Sequence, residues 1–439
     1  MLPPSPQDWL PTDHLAYFVR DVVSTLDMSV ILASYSSDGR GAAAYSPSMM
    51  LSVIFYGWLR DVYSCRKLAR LCREDLGARV LVGAEQPDFR SLNRFRLVHG
   101  NAMDDLYLQS VLLCSKAGMV TMTDMAVDGT RISSYGSKGR NIRYGRIEAE
   151  EERHRAFLRE AKARADAADA EEDSLFGPDE AGPALKEEVA SREKRLELLG
   201  KAKAAMDADA KERAAANRKR WDETPPKERP HTKRPDPETA TPEDTDQYNP
   251  VDPESRVQYS CQSGFIQGYN GQVAVDADSQ VIVACDLTNS PTDVGLLPQM
   301  LDQVEKNLGS KPERVLADSG YYSAKNVEDV RGRNMTPLIP PVLKKSERAA
   351  EPPADLTDDE VVELSAKNWM RYMLAQPSMK VIFGKRRTSV ETVFGQIKGS
   401  PGNPGHRRFL RLTLEKCRQD WFLICCLHNL SKYRGFKTA

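Results

Sequence analysis

Residues 148 to 223 carry 37 charged side chains in 76 positions, 21 acidic and 16 basic, with Ala and Leu filling much of the rest. Such a stretch has too little apolar surface for a core of its own, yet it interrupts a region rich in short apolar runs. It reads as an insertion of long solvated helices, an antiparallel pair broken near Gly177, Pro178, Gly182 and Pro183, with acid–base pairs along its faces. Disorder is the competing reading. The Pro-rich polar stretch TPPKERPHTKRPDPETATPEDTDQYNP follows and reads as an extended linker.

On either side of the insertion the texture differs. Up to about residue 120 apolar residues recur at helical spacing, as in SPSMMLSVIFYGWLRDVYSCRKLARLCREDLGARVLVG, where Ser46 and Pro47 suit a helix start. A second short helix, SLNRFRLVHG, follows Pro87 and Asp88. From about residue 122 the runs become β-rich: MAVDGTRI, then GQVAVDA and QVIVACDL across a polar turn, then RVLADSGYY and TPLIPPVL. A helix, DVGLLPQMLDQVEKNL, is expected before RVLAD despite Pro298. Strand, strand, strand, helix, strand describes an α/β domain. With 439 residues, two or three domains are expected.

Eight Cys with no C-x2-C spacing signal neither a zinc knuckle nor a redox dithiol, and reduced core thiols are expected. No apolar run approaches bilayer length and the first residues lack a signal-peptide pattern, so the expected setting is soluble and cytoplasmic.

Three acids draw attention by their settings. Asp128 and Asp318 each end an apolar strand and are followed closely by Gly, and the repetition of that arrangement argues against a bland strand-end acid. Glu391 lies in VIFGKRRTSVETVFGQIKGSPG, where Arg387, Glu391 and Lys398 fit R-x3-E-x6-K. At about 100° per residue these three share one stripe of a helix, beside an apolar stripe of Val390, Phe394 and Ile397. Taken alone the motif fits an exposed i, i+4 ion pair better. Three carboxylates from two strands and one helix are what a pair of Mg²⁺ ions requires, with a spacing suited to in-line phosphodiester displacement.

The net charge of −1 says nothing about a polyanionic partner, but local charge does. From Lys380 to the end there are thirteen Lys or Arg, among them Lys385, Arg386, Arg407 and Arg408, against three acids. A surplus of that sign around Glu391 suits a nucleic-acid backbone. The segment SYGSKGRNIRYGRI adds Arg131 just before it and Lys138, Arg140, Arg143 and Arg146 within it, interleaved with Tyr135 and Tyr144, a pattern for tracking phosphate with aromatics available for stacking. Near the N-terminus, RKLARLCREDL and SLNRFR, with Arg66 and Arg94, form a helix-turn-helix-like pair. His428, in the apolar run from Leu412 to Tyr433, reads as a core side chain.

Together these residues resemble a DDE transposase of a bacterial insertion sequence. YSCRKLARLCREDLGARVLVG with PDFRSLNRFR resembles the InsH-type N-terminal domain, AVDGTRI the first-Asp motif, and FIQGYNGQVAVDADSQVIVACDLTNSPTDVG the central hairpin. VLADSGYYS resembles the second-Asp motif, and Arg387, Glu391 and Lys398 the signature around the catalytic Glu. The resemblance implies an RNase H-like mixed sheet flanked by helices, in which Asp128, Asp318 and Glu391 ligate two Mg²⁺ ions, with Mn²⁺ able to substitute. It implies double-stranded DNA as partner, both terminal inverted repeats and target, with Arg387 and Lys398 on transposon-end phosphates and a homodimer in the DNA complex. The bacterial cytoplasm, with nucleoid association on DNA, is the implied location. One departure is Gly384, with Phe383 alongside, where the signature has Tyr.

The domain parsing that follows is a helical DNA-binding domain over residues 1–120, the catalytic domain in two parts at 121–147 and 251–439, and the charged insertion with its linker at 148–250. Two other readings stay open at this stage: a DNA-binding relic without activity, and an RNase H-like nuclease without strand transfer.

Overall fold

The computed structural model describes residues 6–35, 44–172, 183–223, 229, 232–343, 356–399 and 405–438. The chain forms two compact units, Met1–Ser134 with Tyr269–Ala439, and Tyr135–Gly268. Among the described residues no helix is long and apolar enough to cross a membrane.

The chain opens with helices α1 (Leu15–Thr25), α2 (Ser29–Leu32), α3 (Pro47–Trp58), α4 (Cys65–Glu74), α5 (Leu76–Val82), α6 (Phe89–Val98) and α7 (Met103–Lys116), and then enters strand β1 (Asp124–Ser133). The second unit holds β2 (Ile142–Arg143), α8 (Tyr144–Glu172), α9 (Pro183–Glu223), β3 (Gln247–Tyr248) and β4 (Arg256–Ser260), and β5 (Gly264–Asp276) leads out of it. There follow β6 (Ile282–Thr288), α10 (Leu297–Leu308), β7 (Arg314–Ala317), α11 (Ala324–Gly332) and β8 (Thr336–Leu338). The chain ends in α12 (Asp358–Glu363), α13 (Ala366–Ala375), α14 (Pro377–Lys398) and α15 (Leu414–Thr438).

In the first unit the N-terminal helices gather around α3, which is buried at every position from Met50 to Trp58 and so is apolar all round. The long helical run expected from Ser46 to Gly83 is broken twice, each time at an acid. Asp61 takes a left-handed φ of 60° just beyond α3, and Asp75 ends α4 and caps α5, accepting from Ala78 N at 2.9 Å. Because α5 lies between α4 and α6, the expected helix-turn-helix-like pair is not consecutive. Asp88 caps α6, accepting from Arg90 N and Ser91 N. A buried ion triad ties α6 to α15: Asp420 accepts from Arg96 at 2.8 Å and from Arg411 at 3.0 Å. Arg96 is therefore a core cation, stacked over Trp58.

The sheet of this unit runs in the order β6-β5-β1-β7-β8. β5 and β6 are antiparallel, whereas β7 is parallel to both β1 and β8. Met125, Ala126 and Val127 on β1 and Val315, Leu316 and Ala317 on β7 are fully buried, as strands covered on both faces must be. α15 closes one side. Its Trp421 ring lies so near Gly271 that a Cβ there would meet it at 2.9 Å, and its indole donates to Gln272 O at 3.2 Å. Pro298 sits in the first turn of α10, where a missing N–H costs nothing. This is an α/β, RNase H-like mixed sheet flanked by helices.

In the second unit α8 and α9 pack as an antiparallel pair. Glu148 meets Lys203 and Glu150 meets Arg195, so sequence numbers rise on one helix as they fall on the other. A small apolar core of Ile142, Ile147, Leu199, Ala202 and Met206 supports them. The expected break at Gly177, Pro178 and Gly182 lies outside the described residues. At the base, β2 pairs antiparallel with β3, and β4 pairs with the first five residues of β5. β4 was not foreseen, because RVQYS is short and mostly polar.

All eight cysteines are free. His428 is buried and its Nε2–H donates to Gln280 O at 2.9 Å, as expected of a satisfied core side chain. Burial lowers its pKa to about 4 and that of His406 to about 3. Both are neutral in the fold and ordinary when unfolded, so the unfolded chain takes up protons first as pH falls. Stability from these groups is complete above pH 6.5 and declines from there toward about pH 4 for His428 and about pH 3 for His406. Denaturant melts across that window are expected to show a fall with a shallower slope for His428→Asn; an unchanged slope would remove His428 from the acid response.

Candidate active site

The parallel register of β1 and β7 decides where two acids emerge. Their last paired residues are Val127 and Ala317, so Asp128 and Asp318 are the next residue on each of two adjacent strands. β7 ends there, whereas β1 runs on to Ser133, so Asp318 follows its strand but Asp128 lies within one and does not end it as the sequence suggests. Asp128 accepts from Gly129 N at 2.8 Å, and Asp318 accepts from Gly320 N at 2.8 Å in a short 3₁₀ turn. Gly129 has no room for a side chain, since a Cβ would sit 2.3 Å from Gln272 Nε2. The D-G and D-x-G pairs are thus backbone rests for carboxylates.

Helix α14 brings the third acid. It packs on β1 and β7 through Ser389, Val390, Val393 and Ile397, with Phe394 only half-buried, so its apolar stripe is turned slightly from the expected one. Its Arg386 reaches all three acids. The guanidinium donates to Asp128 and lies 4.0 Å from Asp318 and 3.5 Å from Glu391. The side chains of Asp128 and Arg386 are only 14% and 13% exposed, while Asp318 and Glu391 are 43% and 53% exposed, so the cluster has a closed floor and an open mouth. Arg386 Nε is buried and has no hydrogen-bond partner among the described residues.

A fourth acid was missed in the sequence. Asp293, in the loop after β6, is 17% exposed and accepts from Asn270, Gln272 and Arg131 at 2.6 to 3.3 Å. Its only signal was its place in SPTDVG, directly after the hairpin. Tyr321 closes this network by donating to Gln272. Burial lifts the Asp128 pKa to about 6, opposed by Arg386 and reinforced by Asp318 and Asp293.

The cations named from sequence divide into two groups. Lys385 is engaged at the other end of β1, with Asp124 at 2.8 Å and Asp278 at 3.0 Å, and Arg131 holds Asp293. Arg407 donates to the backbone carbonyls of Lys398 and Gly399. Arg387 and Arg408 are exposed, as are Arg66, whose guanidinium stacks on Phe89, and Arg94. Lys398 makes no ion pair among the described residues. Its pKa is lowered by burial and by Arg131 and Arg407, so three cations stand together within electrostatic reach of Asp128. Lys138 and Arg143 belong to the second unit and are exposed there.

Three carboxylates opening on one mouth are the oxygen donors a hard divalent cation takes. Among the described residues, however, no three His, Cys, Asp or Glu stand close enough to make a metal site as arranged. The guanidinium fills the space between them.

Comparison with protein families gives two matches. Residues 224–430 match the transposase DDE domain, and residues 4–97 match the transposase domain DUF772. The first match contains Asp318 and Glu391 but begins beyond Asp128, which the insertion separates from it. No curated protein and no solved structure matches the chain. With transposase family matches over residues 4–97 and 224–430, the chain belongs to the DDE transposases of insertion sequences, a family of enzymes that cut and transfer DNA.

Proposed function

We propose that Asp128, Asp318 and Glu391 are the catalytic carboxylates of a transposase that binds the terminal inverted repeats of its element, cleaves at each end and joins the freed 3′-OH to target DNA. The observation that carries this reading is the convergence of the three acids on one guanidinium. They would hold two Mg²⁺ or Mn²⁺ ions, which when bound supply charge stabilisation to the attacking and leaving oxygens. The chain's own residues hold and orient the DNA. Lys398, with Arg131 and Arg407 beside it, suits a phosphate next to Asp128, and exposed Arg387 extends that positive margin along α14. Arg66 and Arg94 on the N-terminal helices, within the helical domain of residues 1–120, are contacts for the element's end. Two ends must meet, so a homodimer on DNA is the working assembly.

Arg386 has a role that follows from its position. Gathered carboxylates repel, and before metal arrives this guanidinium is their counter-charge. Metal and Arg386 then compete for the same oxygens.

Three measurements test the proposal. Asp128→Asn, Asp318→Asn and Glu391→Gln are expected to abolish nicking of a plasmid carrying the element's ends while retaining binding in gel shifts; cleavage by a purified variant removes that acid from the mechanism. Supplying precleaved ends and a target plasmid is expected to yield joined product, and cleavage without joining would leave only a nuclease. Arg386→Gln is expected to lose roughly 1–3 kcal/mol of stability in chelator and to bind Mn²⁺ several-fold more tightly by calorimetry. Weaker Mn²⁺ binding would make Arg386 a support of the metal site and not its competitor.

A further inference from the structure

We propose that the second unit carries a contact for a DNA strand with unpaired bases, on the face where the β4–β5 hairpin meets residues 137–143; this rests on the transposase reading above. Tyr259 and Phe265 are register partners across the hairpin, their rings 5.3 Å apart and steeply inclined, and each is 61% exposed. Two large rings so displayed are costly unless something covers them. The segment beside them supplies charge. Lys138 Nζ lies 5.8 Å from the Phe265 ring, and Asn141 donates to Gln267 on β5 at 2.9 Å. Asn249 pins this segment from behind, donating to Ser137 O at 2.9 Å and to Asn141 Oδ1 at 2.6 Å.

Charge selects the occupant. Lys138, Arg140 and Arg143 are exposed and make no ion pair among the described residues. There is no acid anywhere in residues 135–147 or 256–268. Elsewhere in the same unit cations are neutralised, as in Arg155 with Glu151, Arg195 with Glu150 and Arg213 with Asp246. Bare cations flanking exposed rings form a surface for phosphates with bases stacked alongside, and stacking of this kind tolerates any sequence. A paired duplex hides its base faces, whereas an opened strand presents them.

The test uses the full-length protein with a labelled oligonucleotide, supplied single-stranded and as its duplex. The wild-type protein is expected to bind the single strand through this face, and Tyr259→Ala with Phe265→Ala to weaken that binding roughly tenfold while changing duplex binding little. Lys138→Glu with Arg140→Glu is expected to flatten the salt dependence of single-strand binding. Cys261, exposed at the hairpin turn, gives an independent readout: the oligonucleotide is expected to slow its alkylation by a maleimide. All these side chains are exposed, so melting temperatures should match the wild type. Unchanged single-strand affinity in the aromatic variant overturns the proposal, as does a loss of self-association in sedimentation with DNA affinity intact, which would assign the face to a second copy. Failure of the wild type to bind either DNA would instead sink the transposase assignment of function, and this contact with it.

Discussion

Four carboxylates cannot gather in a space half-shielded from water unless opposite charge gathers with them. Asp128 comes from within β1, Asp318 from the end of β7, Glu391 from a helix and Asp293 from a loop, and each is led there by backbone geometry that takes no account of charge. Parallel register sets the first two side by side. What makes the arrangement tolerable is a division of labour between two guanidinium groups. Arg131 neutralises Asp293, to which Asn270 and Gln272 also donate hydrogen bonds, and Arg386 reaches into the mouth. Burial lifts the Asp128 pKa to about 6, with Asp318 and Asp293 adding to it, against the opposing pull of Arg386. The cluster is thus held together by guanidinium groups.

The acids of the site were legible because each sits in a local pattern with a mechanical reason. An acid followed closely by Gly after an apolar run reports a carboxylate resting on a backbone N–H, although β1 runs past Asp128 to Ser133, and the pairing of β1 with β7 is visible only in the structure. Helical periodicity placed Arg387, Glu391 and Lys398 on one stripe. Periodicity says nothing about which neighbouring cation turns inward, and the one that does is Arg386, whose long stem carries its charge across the helix surface to the acids. Asp293 was hidden for a different reason: a loop acid has no period, and only its partners from β5 and β1 give it meaning. The breaks at Asp61 and Asp75 escaped notice because an acid in an otherwise helical run reads as surface until its cap is seen.

The fold class was readable from the order of strands and helices, and the insertion from its charge. Its pairing as antiparallel helices was one of two readings, suggested by the Gly and Pro near its middle, with disorder the competitor that the structure sets aside for α8 and α9. The hairpin of β4 with β5 was not readable, because polar strands of five residues carry almost no alternation. Exposed rings are equally silent in sequence: Tyr259 and Phe265 look like core residues of a strand until the strand is found to have no cover on that side.

The clasp at the base of the second unit bears on how such a chain assembles. Asp124 and Arg314 are separated by 190 residues yet join at the foot of adjacent parallel strands. Closing so long a loop is slow and entropically costly when the intervening chain is loose. Here β2 pairs with β3, and Tyr144 N donates to Asp246 O at 3.0 Å, so the ends of the helical pair are brought together locally. Once that hairpin of helices has formed from its own near-neighbour contacts, the effective contour between the two halves of the sheet shrinks to a few short connections, and a large interruption becomes kinetically small.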